Sequence, residues 1–442
     1  VARGVLGLLA LVTAVVVLLG VWAAPVLVGL LAPGFEGPKR ELTVTLVRIL
    51  FPGTGILVLS AWCLGILNSH GRFLLSYSAP VAWNLVIIVA TVAAAAGRTP
   101  ADLTVAIAWA AVAGSLLQVA VQLPGVRRAL AGQPAATEQP GRSATEGIGL
   151  VVRNFLPALA SRGVAQLSAW FDLLIATLLG TGAAAGLAMA QMISTLPVSL
   201  FGMSVSASEL PAMAARTGAD SPEAALRDRL EAGWARIAFY VVPSAAAFLA
   251  LGHVIAATVF QSGAFTAAES TYLWVLLAGA AVGLLASTLA RLTASAFHAL
   301  GDTRTPFRWA LARMGVGIVL GLVAALVIVP AFGLEPRLGV AGLMLGGGLA
   351  GWMEFALLKR SLERRLGPLQ VGGRHLAALW GMSAIAALIA WLPLAAGIMR
   401  WQPLAGGLAV LALFGSTYLA IAWILGVSEA RHLAATLRPR HD

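Results

Sequence analysis

Twelve apolar runs, each long enough to cross a bilayer as one helix, follow one another with few interruptions. They fall at 5–32, 42–67, 75–96, 103–125, 150–180, 184–212, 234–260, 272–300, 307–332, 339–358, 375–398 and 404–426. Nothing else in the chain restricts its fold so strongly. A backbone surrounded by hydrocarbon must satisfy its own N–H and C=O groups, which leaves helices or a closed barrel. The alternating segments of about ten residues that barrel strands need are absent. The expected class is therefore all-α, a polytopic membrane helical bundle. Composition agrees, since only 11% of residues are charged, against about 25% in a soluble domain.

The formal charge of +11 would suit a nucleic-acid binder, but the basic residues sit in short connections between apolar runs. There they report topology, and no nucleic-acid partner is expected. One set of alternate loops is rich in them, among others Arg72, Arg127, Arg128, Arg142, Arg216, Arg304, Arg364, Arg365 and Arg374. The opposite set holds only Lys39, Arg40, Arg98, Arg337 and Arg400. The positive-inside rule then places both chain ends in the cytoplasm, as an even number of spans requires. Two connections are long and polar. Arg127–Gly147 reads as a linker, and Arg216–Arg236, opened by Ser221-Pro222-Glu223, reads as an amphipathic surface helix. The expected organisation is an N-lobe of four spans over 1–126, a cytoplasmic linker over 127–149, a second lobe of six spans over 150–366, and a terminal helix pair with a cytoplasmic tail over 367–442.

Polar residues inside the spans are the candidates for function. The run 150–180 carries Arg162, Gln166 and Asp172, and a charge at the centre of a membrane helix costs about 2.5–3.5 kcal/mol on insertion scales. Such residues face a wet interior or pair with one another. Arg162, Asp172 and Arg291 are deep, and are expected either to line a cavity or to form an internal ion pair. Arg48, Arg313 and Glu354 lie close enough to span ends to snorkel, with Arg48 kept as a cavity candidate beside Gln166 and Gln191. Glu209, next to Pro211, reads as structural. Glycines four apart (Gly317 and Gly321, Gly342 and Gly346, Gly347 and Gly351) predict close helix packing, with unwinding at Gly346-Gly347-Gly348 as the alternative. The lone Cys63 excludes an intrachain disulfide and reads as a packing residue. A phosphate-loop motif, HExxH and clustered Cys/His are all absent. Neither an enzyme, a bound cofactor nor a metal centre is expected.

The chain also echoes itself. GILNSHGRFLLSYSAP followed by VAWNLVIIV resembles SAFHALGDTRTPFRWALARMGVGIV: a span, a Gly turn (Gly71, Gly301), a basic residue (Arg72, Arg304), then Pro at the start of the next span. Upstream, PGFEGPKRE parallels FQSGAFTAAES. Repeats that exit on the same side, meeting around a central space, form a transporter plan.

Several of these stretches resemble one family. LAPGF at 31–35, RILFP at 48–52, LNSHGRF at 67–73, Pro80 with Asn84, FLPAL at 155–159, LPVSLFG at 196–202, GAFT at 263–266 and AFHALGDTRTP at 296–306 look like the MurJ/MviN lipid II flippases of the multidrug/oligosaccharidyl-lipid/polysaccharide exporter superfamily. The resemblance implies a bacterial inner-membrane protein that moves lipid II outward by alternating access through a cationic cavity between two lobes, serving peptidoglycan synthesis and cell shape. Sodium, protons or the membrane potential would supply the energy. Membrane lipids and cell-wall synthesis proteins would be its partners. Departures from the family pattern accompany it. The twelve spans correspond to the family's third to fourteenth, so two helices bearing cavity arginines are expected to be missing. An Asp-Arg pair common before LP-x-x-LFG is replaced by Gln191 and Met192, and polar positions tied to a sodium site fall on Gly317 and Gly321. Asp172, at a family acidic position, is the candidate sodium ligand; Arg291 matches a family basic position, whereas Arg162 matches none. Export of another polyprenyl-linked saccharide, or a non-transporting scaffold of the same fold, are the alternative readings.

Overall fold

A computed structural model describes residues 2–131, 163, 166–203, 222–397 and 402–431, all in helices and their short connections. Eleven of these helices are long and apolar enough to cross a membrane, and one shorter apolar helix covers Gln166–Leu178. They correspond to the twelve runs in the sequence. The beginning of the 150–180 run, with Arg162, lies outside the described residues, as do Glu209 and most of the expected linker. The chain divides into two compact units, Val1–Arg162 and Gly163–Asp442.

The first unit contains α1 (Ala2–Trp22), α2 (Ala24–Leu31), α3 (Gly37–Ser69), α4 (Phe73–Ala94) and α5 (Pro100–Ala131). The run expected as one span over 5–32 is broken at Ala23, because Pro25 has no N–H to continue the ladder and its ring opposes the preceding turn. The linker begins later than expected: Arg127 and Arg128 extend α5 to Ala131, where Arg128 in the last turn meets the negative end of the helix dipole. Helices α3 and α5 are joined by buried polar groups. Ser60 donates to Gln122 Oε1 at 2.7 Å and accepts from Gln118 Nε2 at 2.8 Å. Where α4 crosses α5, the Trp83 indole donates to the Ala111 carbonyl at 2.9 Å. Gly114 makes room for that ring, since a Cβ there would stand 2.6 Å from it.

The second unit holds α6 (Gln166–Leu178), α7 (Ala183–Pro197, running on as a π-helical stretch Val198–Met203), α8 (Pro222–Phe260), α9 (Ala267–Ala299), α10 (Arg304–Val323, continued through Ala324–Ile328 to Ala331), α11 (Gly339–Leu366), α12 (Gly373–Ala395) and α13 (Pro403–Ile424). Its core is α8 and α9, whose apolar windows are 72% and 61% buried. Trp234, Phe239 and Phe297 are enclosed there, and Trp234 Nε1 donates to Thr293 Oγ1 at 3.2 Å. Within the described residues, from Pro222 onward, the expected surface helix over 216–236 is instead the opening of α8. No breaker separates Pro222 from the apolar run, and Leu226, Leu230 and Trp234 turn the amphipathic face inward. The terminal pair α12 and α13 packs on α8, with Trp391 Nε1 donating to Ala250 O and Tyr418 OH to Phe239 O.

Glycine decides how α9, α10 and α11 meet. A Cβ on Gly346 would stand 2.7 Å from the Gly321 nitrogen of α10, and one on Gly348 would stand 2.8 Å from the Gly283 nitrogen of α9. Helix α11 runs unbroken through both, so the expected alternative of unwinding at 346–348 is excluded. The glycines permit backbone approach on two opposite faces of one helix.

The internal echo survives at atomic scale. After α3, Arg72 N donates to Leu67 O and Gly71 N to Asn68 O; after α9, Asp302 N donates to Phe297 O and Gly301 N to His298 O. Both are Schellman caps closed by a left-handed glycine, with φ of 70° and 76°. The second copy adds a carboxylate. Asp302 accepts the backbone N–H groups of Arg304 and Thr305 and pairs with Arg365 at 2.6 Å. The Thr305 N–H, then its hydroxyl and the Arg365 guanidinium, hold this carboxyl at about 2, against the upward push of burial. Its stabilising effect is therefore complete above the ordinary value of 3.8 and is lost as pH falls through about 2. Asp302→Asn should flatten that acid limb of thermal stability, and Asp302→Ala should cost about 1 kcal/mol at neutral pH through the lost cap, both read from melting curves of the purified protein.

Candidate functional site

A cavity of about 380 Å³ opens within the second unit, walled by α6, α7, α9, α10 and α11. Its polar lining comes from Asp172 on α6, Gln191, Ser194, Thr195 and Ser199 at the end of α7, Ser287 and Arg291 on α9, and Arg313 on α10. Gly283, Gly347 and Gly348 form part of the wall: the first and last let α9 and α11 approach, and a larger side chain at Gly347 would project into open space.

The hydroxyls are partly committed. Thr195 donates to the Gln191 carbonyl at 2.7 Å, Ser194 donates to the same oxygen, and Ser287 donates to Leu284 O. Each hydroxyl has one hydrogen, so in this arrangement these three offer lone pairs to the cavity. Donors for an anion therefore come from Arg291, Arg313, the Gln191 amide and the Ser199 hydroxyl.

The two arginines differ. Arg313 Nη1 lies 3.4 Å from Glu354 Oε2, and Glu354 on α11 is buried while Arg313 is half-exposed. The snorkelling expected of this pair is thus corrected. They neutralise each other across α10 and α11. Arg313 is nine residues into α10 (313 − 304), about 13 Å along the axis. Glu354 is twelve from the end of α11 (366 − 354), about 18 Å. Both distances are too great for an easy reach to the interface, and that is the signal the sequence offered. Arg291 is exposed to the cavity and, among the described residues, its guanidinium has neither a contact-distance carboxylate nor a hydrogen-bonding partner, feeling Glu354 only at longer range. Asp172, half-buried, feels Arg313 electrostatically without a contact-distance ion pair. With Asp172 ionised, the lining carries two positive charges and one negative, and the second carboxylate lies behind Arg313.

Of the residues singled out from sequence, the cavity brings together Asp172, Gln191 and Arg291. Gln166 is exposed on α6 outside the lining, and Arg48 is exposed on α3 in the other unit. Arg162 lies outside the described residues. Arg313, Ser194, Thr195, Ser199 and Ser287 are additions. Among the described residues no group of three or more His, Cys, Asp or Glu is placed to hold a metal ion.

Known proteins resemble this chain over most of its length. The family model described as lipid II flippase MurJ matches residues 1–407. The lipid II flippase MurJ of Burkholderia cenocepacia is 32% identical, the match covering 96% of this chain and 81% of that protein. A solved structure of a lipid II flippase MurJ in an inward closed conformation superposes with a TM-score of 0.75 at 18% identity, over 96% of this chain and 83% of the other. A multidrug resistance MATE family transporter of the MOP superfamily, in an inward-facing conformation, superposes with a TM-score of 0.66 at 17% identity, over 82% of this chain and 80% of the other.

Proposed function

The chain belongs to the lipid II flippase MurJ family, and from that premise we propose that it carries lipid II across the cytoplasmic membrane, with Arg291 as the main cation meeting the pyrophosphate. It is a multi-pass membrane transporter of this family rather than an enzyme. The observation that carries the assignment to Arg291 is its exposure to the cavity with no carboxylate in contact among the described residues, whereas Arg313, the other lining arginine, is paired with Glu354. A pyrophosphate leaving water needs charge-assisted hydrogen bonds, and a planar guanidinium supplies them in pairs.

The excess of arginine in alternate loops supports a topology with both chain ends in the cytoplasm. For the energy source, the membrane potential is the simplest proposal, worth about 2.3 kcal/mol per charge per 100 mV. Asp172 is the residue around which a sodium ion or proton would have to act. Enzymes that make or use lipid II are the proposed protein partners. The experiment is complementation in bacteria depleted of their own flippase. The chain should restore growth, rod shape and outward exposure of lipid II. Membrane-inserted protein that leaves lipid II confined to the inner leaflet would sink the proposal.

A further inference from the structure

A second cavity, of about 400 Å³, lies at the opposite end of α10 and α11 from the glycine contacts of Gly342, lined by Thr305, Arg308, Trp309, Ser361, Arg364 and Arg365. Its charges are unevenly committed. Arg365 is held by Asp302 at 2.6 Å, and that carboxylate is further occupied by Thr305 and two backbone N–H groups. The neighbouring Glu363 is taken by Lys359 at 3.0 Å. Among the described residues, Arg308 and Arg364 have no carboxylate partner, and Arg308 lies only over the Trp309 ring. The Trp309 indole is fixed by donation to Ser361 Oγ at 3.2 Å. Two uncompensated guanidiniums thus flank a polar cavity whose third arginine is already anchored.

The cavity is at the ends of two spans, the depth at which lipid headgroups lie. An apolar track leads away from it. Leu311 and Val319 are exposed one and three turns deeper than Arg308 on the same face of α10, with Gly315 between them. Charge at the interface with exposed apolar surface beneath it matches the two ends of a phospholipid. We propose that this cavity binds the phosphate of an acidic glycerophospholipid, its acyl chain lying along Leu311 and Val319. The site is separate from the Arg291 cavity, and its failure would leave the transport reading untouched.

Native mass spectrometry of the full chain in detergent, with phosphatidylglycerol or phosphatidylcholine added, tests this. Phosphatidylglycerol should bind preferentially. Arg308→Gln with Arg364→Gln should weaken it roughly 30-fold, the equivalent of about 1 kcal/mol for each basic residue near an anionic surface. Arg127→Gln with Arg128→Gln, an equal loss of charge in the other unit, should leave binding within about twofold of the parent, inside the range expected of a surface change. Arg308→Lys with Arg364→Lys, which keeps the charge, should retain most of the binding and shows that the fold is intact. Equal binding of the two lipids, or an undiminished response in the Gln pair, would overturn the proposal. Displacement of the lipid by millimolar inorganic phosphate would assign the cavity to a free anion and overturn the lipid assignment.

Discussion

Replacing Arg291 with alanine should lower lipid II transport by roughly ten- to 100-fold, the equivalent of losing hydrogen bonds to a charged group worth about 1.5–3 kcal/mol. The protein should still fold, because Arg291 is exposed and, among the described residues, its side chain has no hydrogen bond or contact-distance ion pair to abandon. Arg291→Lys should recover only part of the rate, since an ammonium is a point charge and cannot offer the paired N–H geometry of a guanidinium. Arg313 should behave differently. Its removal leaves the buried Glu354 without its 3.4 Å partner, so Arg313→Ala should lose folded protein as well as transport. Initial rates in reconstituted vesicles, set beside melting temperatures of the same preparations, separate the two cases. Parent-like transport by Arg291→Ala would remove Arg291 from the site.

The largest structural effect is expected at Gly348. A Cβ there would stand 2.8 Å from the Gly283 nitrogen and 3.0 Å from its Cα. The obstacle is backbone, so relief requires α9 and α11 to move apart. Overpacking of this kind typically costs about 1–3 kcal/mol, occasionally more. Gly348→Ala should therefore lower the melting temperature, and Gly348→Val should abolish recovery of folded protein. Its neighbour provides the contrast. A Cβ on Gly347 meets nothing within 4 Å, and alanine is the better helix former by about 1 kcal/mol. Gly347→Ala should keep or raise stability, although it narrows the cavity it lines. If Gly348→Val folds as well as the parent, the close contact of α9 with α11 is wrong.

These two positions also mark how far the sequence could be read. Hydropathy located the spans because hydrocarbon imposes one requirement on every stretch of backbone. The glycine spacing identified a packing surface, but not that Gly346 and Gly348 face different helices while Gly347 faces space. That distinction depends on which neighbours lie around α11. The amphipathic start of α8 was legible as a pattern and misassigned as a surface element, since its partners are distant in sequence. The break at Ala23 follows from Pro25, whose effect on the ladder hydropathy alone does not register.

The site was legible in part for a similar reason. Asp172 and Arg291 stand out because a charge in an apolar run is costly wherever it points. Arg313 and Glu354 stand out equally once their depth along each helix is counted, but only the fold shows that they meet. Ser194, Thr195 and Ser287 carry no such mark, since hydroxyls that bond their own helix are ordinary in any span, and a lone serine such as Ser199 is no more conspicuous.

The central claim is that this chain moves lipid II, and vesicles containing the purified protein and fluorescent lipid II test it most directly. A membrane-impermeant quencher reports how quickly label in the inner leaflet becomes accessible, with and without an imposed potential. The expected result is exchange well above that of protein-free vesicles, slowed by Arg291→Ala and altered by the potential. Exchange at the protein-free rate with folded, inserted protein, or exchange restricted to a different polyprenyl-linked saccharide, would contradict it.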